Sequence, residues 1–311
     1  MKRILVLGSL NIDLVQRVPR MPLPGETLQG SDLRIFVGGK GANQACAAAR
    51  LGGSGHVQMA GKVGDDVFAE RLRRELQGAG VDTESVRESN GASGSATIFV
   101  LPSGENVIVI SPGANADVSP EFARQAVESL RAGDLLLCQL ETPLEAVGAA
   151  LKAATERNVV TILDPAPAQP LPDDWFASIT ILTPNQTEAA ILTGQSTPPE
   201  NTTEAEVVAR NLQARGARTV IVKMGNQGCL IADGNGATGI PAFEVQPVDT
   251  TAAGDTFNGA LAATLANVAT LPDAARFANA AAALSVTKPG AISSIPTRLE
   301  VDQFLASHVH R

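Results

Sequence analysis

Residues 248 to 259 read Val248-Asp249-Thr250-Thr251-Ala252-Ala253-Gly254-Asp255-Thr256-Phe257-Asn258-Gly259, a run of small side chains that leads a carboxylate into the first turn of a helical pattern. Small residues let the main chain approach a ligand closely, and the first N–H groups of a helix have no internal partner. Ala252, Ala253 and Gly254 therefore read as an anion cradle, and phosphate is its natural guest. Phe257, Leu261 and Leu265 make one apolar stripe for the core, which turns Asp255 toward the mouth of the cradle, within reach of a substrate hydroxyl. A first-turn Asp can also simply complement the helix dipole, and for a lone Asp that plainer role would be favoured. Here the carboxylate repels the guest that the cradle attracts, a conflict that calls for a functional reason, so Asp255 is read as catalytic. At an ordinary pKa of about 3.9 it would be almost fully ionised at neutral pH yet far too weak to deprotonate a free alcohol in advance.

Two further segments carry polar groups on tight backbone. Gly38-Gly39-Lys40-Gly41-Ala42-Asn43-Gln44-Ala45 is a glycine-rich turn entering a helix, with Lys40 and Asn43 as its functional side chains; a flexible loop with a solvated lysine is an equal reading of those residues alone. Thr183-Pro184-Asn185-Gln186-Thr187-Glu188 follows a strand, and there Asn185 is suited to cap the next helix with Glu188 in its first turns. The dinucleotide pattern G-x-G-x-x-G is absent from the glycine turn, and the P-loop pattern is absent from the whole chain.

These segments need a scaffold, and the composition supplies one. With 311 residues, 44% of them apolar and 18% charged, the chain has material for one large domain and a smaller module. Acidic residues outnumber basic ones 32 to 24, giving a net charge of -8, which with only 3% aromatic residues argues against a nucleic-acid partner. Cys46, Cys138 and Cys229 are scattered in apolar sequence and fit a reducing cytoplasm. Lys2 and Arg3 precede an apolar run that Gly8, Ser9, Asn11 and Asp13 cut short, so the amino terminus reads as a buried first strand and not as a signal peptide. No stretch approaches the roughly 20 apolar residues of a membrane span.

Apolar runs at Ile4 to Leu7, Val57 to Lys62, Leu135 to Gln139, Val159 to Asp164, Ile179 to Leu182 and Thr219 to Lys223 alternate with helical patterns, which predicts an α/β fold with a mostly parallel sheet covered on both faces. Phe68, Leu72 and Leu76 mark one helix, Ser119 and Pro120 start another, and Thr203 with Glu206 suits a capping box on a third. Residues 13–37 and 92–111 break the alternation and read as antiparallel strands that pair into a small projecting sheet, leaving 1–12, 38–91 and 112–311 as the core. Near the carboxy terminus, Gly228 to Ile231 and Thr238 to Ile240 flank turn residues as a hairpin, with two Ala-rich helices after it.

On Gly38 to Ala45, Thr183 to Glu188 and Asp249 to Gly259, with Asn11 and Asp13 in Gly-Ser-Leu-Asn-Ile-Asp and Glu141 in Gln-Leu-Glu-Thr-Pro, the chain resembles the ribokinase-like (PfkB-type) carbohydrate kinases from end to end. The glycine turn and the early Asn-x-Asp are typical of the ribokinase branch. The resemblance implies ATP-dependent phosphorylation of D-ribose at O5, a nucleotide site at one edge of the core, and a β-sheet lid that covers the sugar and clasps a homodimer. It places Asn11, Asp13, Gly39, Lys40, Asn43 and Glu141 on sugar-contacting positions and Asp255 on the general base, with Ala252 to Gly254 and Mg²⁺ on ATP neutralising the moving phosphoryl group. Asn185, Glu188, Lys223, Gly225, Gly228, Gly254 and Asn279 fall on nucleotide-binding positions, and Lys223 stands where relatives often carry a smaller polar residue. Asp249, Thr251, Ser285, Lys288, Gly290 and Ser294 match positions whose oxygens hold an activating monovalent cation, K⁺. A kinase for another furanose or a nucleoside is the nearest alternative. A catalytically silent sugar-binding regulator on the same fold is the other, and the retained Asp255 speaks against it.

Overall fold

Strand β1 (Ile4–Leu7) is buried along its whole length, and its side chains divide between two cores: Ile4 and Val6 join one, Leu5 and Leu7 the other. An apolar strand does this when its sheet is covered on both faces, because successive side chains point to opposite sides. The computed structural model describes residues 2–53 and 55–308 and places β1 inside a nine-stranded sheet. Across the sheet run β13 (Gly236–Ile240), β12 (Cys229–Asp233), β11 (Thr219–Lys223), β10 (Ile181–Leu182), β9 (Val160–Leu163), β8 (Leu135–Cys138), β1, β4 (Val57–Val63) and β5 (Asp82–Glu88). All neighbours are parallel except β12–β13, which is the expected hairpin, and β11–β12.

Helices α1 (Lys40–Gly52), α2 (Ala69–Gly78), α8 (Ala253–Ala266), α9 (Leu271–Ser285) and α10 (Arg298–Ser307) pack on one face. On the other lie α3 (Pro120–Val127), α4 (Leu144–Glu156), the short α5 (Asp173–Phe176), α6 (Gln186–Thr193) and α7 (Thr202–Ala214). Of the two alanine-rich helices, α8 sits against α1 and α9 against α8, with very small side chains at the α1–α8 contact: a Cβ on Gly259 would stand 2.5 Å from the Ala47 Cβ. Close backbone approach of this kind fixes α1 and α8 relative to one another, and both bear site residues at their amino ends.

Four details differ from the sequence reading. β10 is only two residues long, because the Thr180 N–H donates to the Thr161 hydroxyl at 2.8 Å in place of a ladder carbonyl. β5 has a polar, half-exposed sequence with no apolar run to announce it, and it survives as an edge strand paired to β4. The cap of α7 falls at Asn201, whose side chain accepts from the Glu204 N–H at 3.0 Å, and not at Thr203 with Glu206. Asn201 wins because its extended backbone already presents the acceptor two residues earlier.

The fourth concerns the small sheet, which has the order β3 (Arg34–Gly38), β2 (Asn11–Arg17), β6 (Gly94–Val100), β7 (Asn106–Ser111). β2–β3 and β6–β7 are antiparallel as expected, but the central β2–β6 pair is parallel, with Asn11 opposite Gly94. β2 follows β1 and β6 follows β5; since those two strands run the same way through the core sheet, the segments leaving them emerge side by side in one direction. The sheet spans Asn11 to Gly38 and Gly94 to Ser111. No helix among the described residues is long and apolar enough to cross a membrane.

Candidate active site

Ala252 opens α8 in the left-handed conformation, at φ 58°. A residue with a Cβ is strained there, by about 1–3 kcal/mol, and such strain persists where the surrounding structure requires a particular main-chain path. The path it sets turns the amino end of α8 into a cleft. Among the cradle donors, the Ala253 N–H bends back to the Thr250 carbonyl at 3.3 Å. It is less free for an anion than the sequence suggests, and Gly254 is the better-placed amide.

Asp255 follows at once, 6% exposed. Both of its oxygens are held from α1: Asn43 Nδ2 donates to Oδ2 at 3.0 Å and Gln44 Nε2 to Oδ1 at 2.9 Å. Burial pushes its carboxyl above the ordinary range, against the pull of Lys40 and with help from the charge of Asp164. The ordinary acidity expected from sequence is therefore corrected: the buried carboxylate is the stronger base.

Around it the structure gathers the predicted polar groups. A cavity of about 510 Å³ is lined by Lys40, Asn185, Glu188, Lys223, Gly225, Ala252, Ala253, Gly254 and Asp255, together with Asp164. A second, of about 630 Å³, shares Lys223, Gly225, Ala253 and Gly254 and continues over Gly228, Phe243, Phe257 and Asn279. The shared residues make the two one cleft, polar and acidic at the Asp255 end and mostly apolar at the other, a shape suited to a charged phosphate chain leading to a flat base. Asn185 and Glu188 cap α6 reciprocally, Asn185 accepting from the Glu188 N–H at 2.8 Å and Glu188 from the Asn185 N–H at 2.7 Å. Burial and the charge of Asp164 raise the Glu188 carboxyl against the pull of Lys223. Asn279 lines the apolar end, but its amide hydrogens go to the Ile240 and Pro241 carbonyls at 3.2 and 3.1 Å, so it shapes the wall where β13 ends.

The residues predicted to hold sugar lie on the other side of Asp255. Gly39 adopts φ 89°, and a Cβ there would meet the Asn11 nitrogen at 2.9 Å, so β2 and the start of α1 touch backbone to backbone. Glu141 fastens the junction, accepting from the Lys40 N–H at 3.0 Å and from the Ser9 hydroxyl at 2.5 Å. Asn115 bridges to the Asn11 Oδ1 at 2.7 Å. Burial, then the neighbouring Glu141, raises the Asp13 carboxyl to about 7. Lys40 stays charged: burial would lower its pKa, but Asp255, Asp164, Glu141 and Glu188 together raise it. Lys40 thus faces a ring of carboxylates, with Lys223 on Asp164 as the second cation.

The implied cation positions are only partly gathered. Asp249 accepts from the Thr251 N–H at 2.9 Å and from the Gly290 N–H at 2.8 Å, which ties the two loops together. Those hydrogen bonds outweigh burial and keep the carboxyl ionised. Ser285 and Ser294 are buried, each hydroxyl donating at 2.8 Å to a carbonyl of its own turn, and the Lys288 ammonium pairs with Glu300 at 2.8 Å. An ionised carboxylate among main-chain and hydroxyl oxygens is a donor set that fits a monovalent cation. For Mg²⁺, no cluster of three His, Cys, Asp or Glu exists among the described residues. Glu188 lines the cleft as a carboxylate of the kind that, with phosphate oxygens, would suit such an ion.

Sequence reasoning passed over Asp164 and Gln139, which are 2% and 0% exposed and bonded into the site through Gln44. The signal was available: each is the polar residue at the carboxyl end of an apolar parallel strand, where open α/β sheets place their ligands.

Comparison with known proteins agrees with this geometry. The pattern described as pfkB family carbohydrate kinase matches residues 1–298. A ribokinase of Haemophilus influenzae is 43% identical over 305 residues, covering 98% of each chain. The crystal structure of a ribokinase from Thermotoga maritima superposes with a TM-score of 0.89 at 37% identity, over 98% of this chain and 100% of that one. The ribokinase of Arabidopsis thaliana in complex with ribose and ATP gives a TM-score of 0.88 at 32% identity, over 98% of both chains.

Proposed function

The chain belongs to the pfkB family of carbohydrate kinases, and from that premise we propose that it transfers the terminal phosphoryl group of ATP to O5 of D-ribose, giving ribose 5-phosphate and ADP. The observation that carries the reading is the placement of Asp255, buried, held by two amides of α1, and set where a cleft for a phosphate chain meets a hydroxyl-matching group of side chains.

A sugar bears many hydroxyls and no charge, so its pocket must offer fixed donors and acceptors. Asn11, Asp13, Gly39, Lys40, Asn43 and Glu141 supply both. Asp255 takes the proton of the O5 hydroxyl as that oxygen attacks the terminal phosphorus and the bond to the bridging oxygen of ADP breaks. Even with its raised pKa it is a weak base for an alcohol, so the proton moves late, after the bond to phosphorus has begun to form. The Gly254 amide and the Lys223 ammonium face the phosphate path and offset its charge, with Asn185, Glu188, Gly225 and Gly228 along the same cleft. Mg²⁺ on ATP would supply further neutralisation, and K⁺ bound at Asp249 and its neighbouring oxygens would add positive charge behind the cradle.

The small sheet, residues 13–37 and 92–111 with the ends of its strands, is read as the lid over the sugar. Its edge strand β7 leaves Ile108, Val109 and Ile110 about half exposed, the kind of open apolar edge that a second copy would cover in a homodimer. Cys46, Cys138 and Cys229 are free and buried, which supports a reducing, cytoplasmic setting. The test is a coupled ADP-release assay with ribose, deoxyribose, fructose and adenosine. Ribose is expected to give the highest kcat/KM, and a higher value for adenosine or fructose would replace this reading with that substrate.

A further inference from the structure

The lysine of the phosphate path and the general base are joined by buried bonds that the reaction scheme above does not use. Lys223 Nζ donates to Asp164 Oδ1 at 2.8 Å, while Gln44 Nε2 donates to Asp164 Oδ2 at 2.8 Å and to Asp255 Oδ1 at 2.9 Å. A single amide thus commits its hydrogens to two different carboxylates. Gln139 Nε2 donates to Gln44 Oε1 at 2.6 Å and fixes the orientation. Reversed, Gln44 would turn its oxygen toward two anions and its NH₂ toward another NH₂. Screening by water is weak at its centre, since Gln44 and Gln139 are 0% exposed and Asp164 2%. Two carboxylates sharing a neutral donor in such surroundings need compensation, and Lys223 provides it on Asp164. The same ammonium borders the cradle, 3.5 Å from where a Cβ on Gly254 would stand.

We propose that Asp164 is a positioning residue for the base: through Gln44 it orients the Asp255 carboxylate, by its own negative charge it opposes the pull of Lys40 on that carboxylate, and through Lys223 it links that setting to the anion cradle. This rests on Asp255 being the base. Lys40 from α1 acts on the same carboxylate with opposite sign; Glu188 on α6, Lys223 on β11 and Glu141 after β8 complete the charged surroundings. With Lys40 so close, Asp255 would be a feebler proton acceptor without the negative charge of Asp164, and a base that holds its proton more tightly takes one from an alcohol more readily.

Asp164→Asn keeps the shape and removes the charge. The readout is kcat against pH at saturating sugar and nucleotide, conditions under which Asp13 is occupied by substrate. The acid limb is expected to move down by about one pH unit, with the plateau lowered roughly tenfold. Sugar KM should stay within about threefold. A purely structural role would lower activity at every pH and leave the limb where it was, and that result overturns the proposal. Should Asp164→Asn fail to fold in a thermal melt, Lys223→Thr carries the test with the opposite sign. The limb should then rise, because Asp164 loses its counter-charge, and an unmoved limb again overturns the proposal. Asp255→Asn separates the two levels. A parent chain that shows no sugar-dependent ADP release refutes the kinase reading itself, whereas an active parent, an inactive Asp255→Asn and an unmoved limb refute only the role of Asp164.

Discussion

The two sheets treat their faces in opposite ways. In the nine-stranded sheet the central strands are sealed on both sides, and the site groups beside it are held by several bonds: Asp255, at the start of α8, is gripped by two amides, and Asp164, just after β9, by an amide and a lysine. In the four-stranded sheet most side chains are half-exposed or exposed, and of the two functional groups it contributes, Asn11 is buried and Asp13 sits beside Glu141 with a carboxyl raised to about 7. On the proposed reading the base belongs to the buried core, while the more open sheet adds Asn11 and Asp13 to a sugar-facing group whose other members, Gly39, Lys40, Asn43 and Glu141, come from the core.

Lys40 is where the two regions meet, and its loss should have the largest effect. Lys40→Met leaves Asp255, Asp164, Glu141 and Glu188 without their common cation. A fall in kcat/KM for sugar of at least about a hundredfold is expected, with a lower melting temperature. Activity within threefold of the parent would show that the core does not depend on this bridge.

Asp13 should behave as a recognition group whose effect follows pH. If its ionised form accepts sugar hydroxyls, sugar KM should fall roughly tenfold between pH 6 and pH 8 as the carboxyl ionises, while kcat changes far less. The sign for stability runs the other way. A carboxyl that holds its proton more tightly folded than unfolded favours the fold most below about pH 4, and that contribution is lost as pH rises through about 7. Asp13→Asn should remove the dependence of KM, and a KM that keeps its pH slope in that variant would transfer the role to another group.

The open edge of the small sheet offers a milder perturbation. Ile108→Lys with Ile110→Lys is expected to halve the mass seen by sedimentation and to raise sugar KM several-fold, with kcat little changed because the core is untouched. A parent that already sediments as a monomer would refute the clasp. Smallest is the cation effect: replacing K⁺ by Na⁺ should slow turnover by a few-fold, since a charge behind the cradle acts through several ångströms of protein. Equal rates in both salts would remove the site at Asp249.

Much of this was legible because physical constraints wrote it directly into the residues. A strand segment buried on both faces is apolar, so β1 and the Val220-Ile221-Val222 centre of β11 are legible in the sequence. Small residues ahead of a helix announced the α8 turn. β5 escaped, since an edge strand is free to be polar, and the parallel β2–β6 pair escaped because it depends on how distant segments leave the core. The raised proton affinity of Asp255 also lay beyond local pattern, for it arises from burial and from Asp164, ninety-one positions away in sequence. Asp164 itself was visible only as the end of an apolar run.

The most direct measurement pairs turnover with binding in Asp255→Asn. Sugar-dependent ADP release should fall by at least about a thousandfold while ribose affinity by calorimetry stays within about threefold of the parent. Turnover within tenfold of the parent would contradict the central claim that this buried carboxylate accepts the proton of the attacking hydroxyl.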